Sequence, residues 1–379
     1  MSILKRMIFR ILKNVICIRK INTCSIVGQS TKMVTCTRSR GARHFGARLL
    51  QQIKEAAVDK VAFPYRSSSH LPLLHVIAES SSWQKHGLEV DYDRGISAGE
   101  AHRAVPSGEV EFVGGNHVSP YGHRARGDTW VYLGQTMNYV HMQMAVRPDS
   151  RINGVRDLRG KKFGTKGSHP GLNDWLYLKQ RGLDTDRDDI ELINQLTYKK
   201  GEMDAIGGAK PPPLYQWVKD GTVDAAFLTQ PTAAIAEKAG LKLIDVEPMP
   251  MIWFTTVSSS LKFVEKHPDI VERMLKGIIE GIHYFKTQRE KSIDIIQNSY
   301  GKEGKLDRTL ATLTYENVVA GLDPKLMPHM SAISNVYPDA LLQDKDAAKV
   351  NPLELWDLHF VRRLDDSGFV RNLYQTSNA

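Results

Sequence analysis

The sequence predicts an α/β fold with two lobes, and three observations predict it. The chain has 379 residues, too many for one ordinary core. Short apolar runs bounded by Gly, Ser or Pro alternate with helix-sized amphipathic segments, the pattern of βαβ units and mostly parallel sheets. That alternation runs from residue 60 and restarts near residue 150.

The elements follow in order. "KVAFPY" (60–65) reads as a strand, "RSSSH" as a loop, and "LPLLHVIAESSSWQKHG" as a helix closed at Gly87. "LEVDYDRG" alternates like a strand, "GEAHRAVPSG" is a short helix, and "EVEFVGGNH" is a strand broken at Gly114 and Gly115. "VSPYGHRARG" is helix-sized, and "TWVYLGQTMNYVHMQMAVRP" holds two strand-like runs. After 150, "KKFGT", "DIELINQL", "VDAAFLTQP" and "LKLIDV" read as strands. Between them, "PGLNDWLYLKQRG", "PPPLYQWVKDG" and "TAAIAEKAG" read as helices, the second with prolines in its first turn. "MIWFTTVSSS" (251–260) is an extended return segment. In "HPDIVERMLKGIIEGIHYFKTQREK", Ile270, Met274, Ile278 and Ile282 recur every four residues beside Val271, Leu275, Ile279 and Phe285, one apolar stripe on a long helix. The remainder to about residue 365 reads as helical.

Composition narrows the function. Apolar content of 41% and charged content of 25% are those of a globular protein. No apolar run approaches the length of a membrane span. The net charge of +9 is concentrated at one end. Residues 1–60 hold 13 Lys and Arg against Glu55 and Asp59, leaving 38 basic and 40 acidic residues elsewhere. A near-neutral body argues against a nucleic-acid partner. Cys17, Cys24 and Cys36 also lie in the leader, so the body offers no disulfide, zinc cluster or thiol nucleophile. The leader, residues 1–59, is either a presequence of mitochondrial type or an extension from a start assigned too far upstream. Lys5, Arg6, Arg10, Lys13 and Arg19 interrupt any secretory apolar core.

No dinucleotide fingerprint, phosphate loop, zinc-protease, nucleophile-elbow or calcium motif occurs, so no cofactor is expected. What remains is a set of small polar residues where strands end. These are Ser67, Ser68, Ser69 and His70; Asn116 and His117; Asn138 and Tyr139; Ser168 and His169; and Thr229 and Gln230. In open α/β sheets ligands bind outside the carboxyl ends of strands, where helix N-termini favour anions. The alternative is that these residues are ordinary caps and turn formers. His70, His117, His141 and His169 fall in the same loops, and convergence would offer a metal site, but no pair has helical ligand spacing. His75 and His86 read as packing or surface residues, while Tyr65, Tyr139 and Trp253 are candidate ligand walls. The loops contain no Asp or Glu, which argues against paired-carboxylate catalysis.

Four runs carry a family resemblance: "LPLLHVIAESSSWQKHGLEVDY", "AVPSGEVEFV", "DLRGKKFGTKGSH" and "VKDGTVDAAFLTQP". In their order and spacing, over about residues 60–300, the chain resembles the type II periplasmic substrate-binding proteins, in the nitrate, sulfonate, taurine and thiamine-pyrimidine branch. The resemblance implies two lobes joined by two crossover hinge strands, near Met142–Arg147 and Met251–Val257, with a helical C-terminal part. One lobe would comprise 60–146 and 252–379, the other 147–251. It implies a ligand in the interlobe cleft, touched by the loop residues named above, an ABC permease as partner, and a monomer. It also implies a periplasmic address, whereas the sequence shows no secretory signal, leaving a cytoplasmic location or a misplaced start open. The reading is therefore a non-enzymatic binder of a small organic anion. The alternative is an intracellular enzyme on the same scaffold, acting on an aromatic acid or pyrimidine precursor with or without a metal.

Overall fold

The computed structural model describes residues 58–167, 170–195, 212–299 and 305–376. The first stretch holds β1 (Asp59–Ala62), α1 (Leu71–Glu79), β2 (Leu88–Asp91), α2 (Ala98–Ser107), β3 (Phe112–Gly114), α3 (Pro120–Ala125) and β4 (Trp130–Val140). Next come β5 (Gln143–Val146), β6 (Lys162–Thr165), α4 (Leu172–Gln180), β7 (Glu191–Asn194), α5 (Leu214–Asp220), β8 (Ala225–Leu228), α6 (Thr232–Lys238) and β9 (Lys242–Asp245). The return strand β10 (Met249–Ser260) leads into α7 (Leu261–Lys266), α8 (Pro268–Thr287), α9 (Arg289–Ser299), α10 (Arg308–Gly321), α11 (Met330–Gln343), α12 (His359–Asp366) and α13 (Phe369–Thr376).

Three sheets result, with orders β1-β2, β3-β10-β4 and β7-β6-β8-β5-β9. Tyr65 bridges Gly95 and Gly114, stitching the first sheet to the second. The α/β class and two-lobed plan agree with the sequence reading. The expectation of mostly parallel sheets holds only where βαβ units operate, in β1-β2 and β7-β6-β8. Both β4 and β3 are antiparallel to β10, and β5 is antiparallel to β8 and β9. The reason is topological: a strand returning from one lobe to the other enters its sheet against the prevailing direction.

The β4–β10 ribbon is the joint. Val131, Leu133, Phe254 and Val257 belong to the core of the first lobe. Val140, Met249 and Met251 belong to the core of the second, with Phe163, Tyr177 and Phe227. Trp253 packs against both cores. The chain thus crosses outward at Val140–Met142, ahead of most of the expected Met142–Arg147 segment. The remainder of that segment is largely β5, locked between β8 and β9.

The long helix forms as its stripe requires. On α8, Val271, Met274, Leu275, Ile278, Ile279, Ile282 and Phe285 are buried, each contributing about 1.5–3 kcal/mol of apolar burial. Gly277 and Gly281 on the same face leave no room for a β-carbon against Trp83 and Ile77, so α8 lies close on the α1 region. The predicted helix over 71–87 ends early, at Glu79. There the Ser80 hydroxyl donates to the Ile77 carbonyl, and Ser81 turns to φ +58°, side-chain bonding that competes with helix continuation.

Candidate functional site

The site is built where two loops of the first lobe touch. After β3 the backbone enters the left-handed region at Gly115 (φ +102°) and Asn116 (φ +64°), which glycine and asparagine tolerate best. A β-carbon on Gly115 would lie 2.9 Å from His70 Cε1 and 3.1 Å from Arg66 Cβ. Glycine is therefore required for both conformation and space. The Arg66 amide donates to the Gly114 carbonyl at 2.9 Å, and the Gly115 amide to the Thr256 carbonyl at 2.8 Å, fixing both loops to the sheet.

Around this contact Arg66 Nε, His70 Nδ1, Asn116 Nδ2 and His117 Nδ1 are buried without a hydrogen-bond partner. Buried polar atoms are nearly always bonded, and each one left alone costs about 1–3 kcal/mol. Burial pushes His70 down to about 3, with repulsion from His117 and Arg66 adding to it. Burial, then Arg66, brings His117 down to about 4. Both imidazoles are neutral at neutral pH, and Arg66 supplies the positive charge. Burial lowers Arg66 as well, partly offset by Glu100, and its Nη1 donates to the Ile96 carbonyl.

Behind these residues lies a hydrogen-bonded layer, in which His102 Nδ1 is left without a partner. The Ser119 hydroxyl donates to Asn116 Oδ1 at 3.2 Å and so accepts from His102 Nε2 at 2.8 Å. His102 stacks on His123 with centroids 3.5 Å apart, and His123 Nδ1 meets Asp128 Oδ2 at 2.8 Å. Ser119 and His102 therefore orient Asn116; they are not a nucleophile and its base.

Across the crossover, Ser69, Met137, Thr229, Gln230, Trp253, Phe254 and Asn317 line a cavity of about 40 Å³. Phe254 connects it to the first cluster, its ring 5.2 Å from that of His70. Its φ of +68°, within an irregular stretch of β10, places an aromatic residue in a strained conformation at this point. An adjoining groove of about 350 Å³ is lined by His141, Gln143, Gln230, Asp245 and Asn317 among others.

The sequence-predicted residues divide accordingly. His70, Asn116 and His117 come together, and Ser69, Thr229 and Gln230 share the cavity. Ser67 and Ser68 are exposed, and the Ser67 hydroxyl caps the short turn by accepting from the Ser69 amide. The Gln230 amide is engaged, donating to Gln143 Oε1 and accepting from the Ala234 amide. Asn138 lies away from the cavity: it donates to the Met327 carbonyl at 2.8 Å and accepts from the His329 amide at 2.7 Å, fastening the segment before α11. Tyr139 stands beside His329, 38% exposed. Ser168 and His169 lie outside the described residues. Of the loop histidines, His141 faces the adjoining groove, and among the described residues no group of three or more metal-ligating side chains forms. Sequence reasoning missed Phe254, Thr314 and Asn317. The last two come from α10, which the chain brings back to the cleft late, and no local pattern signals that return.

Two lobes joined by a two-stranded crossover, with buried unpartnered polar groups at the seam, define the periplasmic-binding-protein fold of type II. The sequence pattern of the NMT1/THI5-like family matches residues 69–292, more than half of the chain, and the protein belongs to that family. Among curated proteins none matches. Solved structures share the fold. One is described as the periplasmic sulfonate-binding protein SsuA of a sulfonate ABC transporter from Methylobacillus flagellatus, at 16% identity and TM-score 0.59, covering 82% of this chain and 95% of that one. Another is the alkanesulfonate-binding protein SsuA from Xanthomonas axonopodis pv. citri bound to MOPS, at 14% identity and TM-score 0.54, covering 80% and 99%. A third is a variant of the desulfurization enzyme DszB in complex with biphenyl-2-sulfinic acid, at 16% identity and TM-score 0.53, covering 82% and 99%.

Proposed function

We propose that the protein is a solute-binding protein that takes a small organic oxyanion, a sulfonate, carboxylate or pyrimidine-like anion, between its lobes and presents it to an ABC permease. In this reading 60–140 with 252–379 form one lobe and 141–251 the other, the expected boundary at 146 moving back to the crossover because β5 pairs with β8 and β9. The observation that carries it is the unpartnered set of Arg66, His70, Asn116 and His117 beside the seam. One guanidinium and several neutral hydrogen-bonding atoms suit a monoanion with further polar oxygens better than a multiply charged ligand. The sulfonate and sulfinate chemistry named for the structural neighbours is of this kind. From the first lobe we assign Ser69, His70, Asn116 and His117 to the ligand, and from the facing side Thr229 and Gln230, closing over it by rotation about the β4–β10 ribbon.

The enzymatic alternative needs a proton acceptor poised near neutral pH. In the proposed ligand set His70 and His117, pushed to about 3 and about 4, are too weakly basic for that work, and the acids raised toward neutrality, Asp174 and Asp339, lie outside that set. The test is a screen of alkyl and aryl sulfonates, aromatic carboxylates and pyrimidines by thermal shift on folded protein. A true ligand at a hundred times its Kd stabilises by about 2.7 kcal/mol, and Arg66→Ala abolishes the shift. If no compound moves the melting of the folded protein, the proposal fails.

A further inference from the structure

Helix α11 touches both lobes. Its Ile333, Val336 and Ala340 pack with Tyr121, Tyr132 and Ile252 of the first lobe and the ribbon. On the other side Gln180 of α4 donates to Asn335 Oδ1 at 2.6 Å, and Asn335 donates onward to the Pro250 carbonyl of β10 at 2.6 Å. One turn along, Asp339 comes within electrostatic reach of Asp174 on α4. Asp339 is 0% exposed and Asp174 6%. Neither carboxyl oxygen of Asp339 has a hydrogen-bond partner. A helix that bridges the lobes through a neutral amide relay thus also carries one buried acid, Asp339, within electrostatic reach of a second, Asp174, on the neighbouring α4.

We infer that α11 is a strap holding α4 against β10, and that the Asp174–Asp339 pair makes its grip acid-strengthened, so that the lobes part more readily as pH rises. The inference draws on the binding reading only for its purpose; the device itself needs no ligand. Burial raises Asp339 to about 8, with Asp174 adding repulsion. Burial raises Asp174 to about 7, opposed by the Lys166 ammonium and a backbone hydrogen bond at Lys166. Among the described residues, the other charges on the elements packed against the pair are engaged elsewhere or exposed. On α4, Lys179 sits over the Trp175 ring at 4.7 Å, and Tyr177 donates to the Glu247 carbonyl. β10 carries no titratable side chain. In the turns after α11, Asp346 is held by Arg126 and Lys349, Lys345 is exposed, and Glu354 caps the Asn351 amide. On α11 itself Tyr337 donates to the Ala347 carbonyl.

The sign follows from the raised values. The strapped state keeps protons that the parted state, with ordinary carboxyls near 3.9, releases. Its advantage therefore falls as pH rises from about 4 toward 7–8, by up to about tenfold in the opening constant per carboxyl per pH unit, and is flat above that range.

The test is small-angle X-ray scattering of the full-length, ligand-free protein at about pH 5, 6.5 and 8.5, with thermal melting in parallel, for wild type, Asp339→Asn and Asp174→Asn. The expected result is a radius of gyration that grows with pH in wild type and grows less in Asp339→Asn, where Asp174 alone of the pair still titrates; this variant also melts higher than wild type at pH 8.5. The first-lobe histidines are common to all three proteins, so the differences between them isolate the carboxyls. A radius flat with pH in wild type overturns the proposal, even if Asp339→Asn melts higher, because the pair then tunes stability alone. An identical pH profile in wild type and both variants overturns it as well. If Asp339→Asn does not fold, Asp174→Asn carries the same comparison. A failed ligand screen with pH-dependent opening intact would sink the binding reading and leave the strap standing.

Discussion

The first lobe contains two buried polar regions of opposite character. In the β4–β10 ribbon, Gln135 donates to the Met137 and Trp253 carbonyls and accepts from the Thr256 hydroxyl. Thr136 donates to the Thr255 carbonyl, Ser258 to that of Gly115 and Ser259 to that of Glu111. A few ångströms away, Arg66, His70, Asn116 and His117 keep individual buried nitrogen atoms unused. Two ribbon atoms are also unpartnered, Trp130 Nε1 and Thr255 Oγ1, and the Thr255 side chain turns its methyl to Gly114, toward the second region. The difference in bonding between buried atoms separates polar residues that build the frame from polar residues kept for something the chain does not supply.

The contrast can be broken by substitution. The largest effect belongs to the ribbon. Gln135→Leu strands the Thr256 hydroxyl and two carbonyls, and urea unfolding is expected to show a loss of about 2–4 kcal/mol. His70→Leu removes an imidazole whose only hydrogen-bonding contact is a weak one to the Gly114 backbone, so stability stays within about 1 kcal/mol of wild type while ligand binding is lost; a loss matching that of Gln135→Leu would erase the distinction. Acid sharpens it next. His70 is depressed from 6.5 to about 3, so the folded state resists its protonation. Stability is full above about pH 6.5 and falls as pH drops toward 3, by about 2 kcal/mol for this group between pH 7 and 5. Melting curves across that range should steepen the loss in wild type and flatten it in His70→Leu. Gly115→Ala comes third: left-handed strain and contact with His70 cost about 1–2 kcal/mol and displace the imidazole, so binding falls further than stability. The smallest effect is Ser67→Ala, which removes one exposed cap worth about 0.5 kcal/mol. Calorimetry with a ligand in hand then decides whether the exposed serines touch it, because loss of a cap alone leaves affinity unchanged.

Much of this was legible in the sequence, for identifiable reasons. Strands such as Ala225–Leu228 and the stripe of α8 announce themselves because the period of a local pattern is fixed by the local backbone. Gly114 and Gly115 were readable as a break at the end of β3 for the same reason. Asn138 was not distinguishable from Asn116: both follow apolar strand residues, and only the path of the segment 322–329 decides that the first is used up by backbone. Asn317 and Thr314 were invisible because their role depends on α10 returning to the seam from far along the chain. The pairing of Asp339 with Asp174, separated by most of the second half of the protein, likewise has no trace in either neighbourhood. Sequence reports what a residue is next to along the chain; the seam is made of residues that are neighbours in no other sense than the folded one.

The cavity of about 40 Å³ at the seam carries a kinetic consequence. An organic ligand site ordinarily occupies about 300–1,000 Å³, so a molecule can rest in the adjoining groove of about 350 Å³ but reaches this cavity only when the seam opens. Capture has to wait for a spontaneous excursion of the chain, and the observed association rate in a stopped-flow mixing experiment should level off with increasing solute at the frequency of that excursion. The protein would then behave at high solute concentration as a timer, admitting molecules at a pace it sets itself.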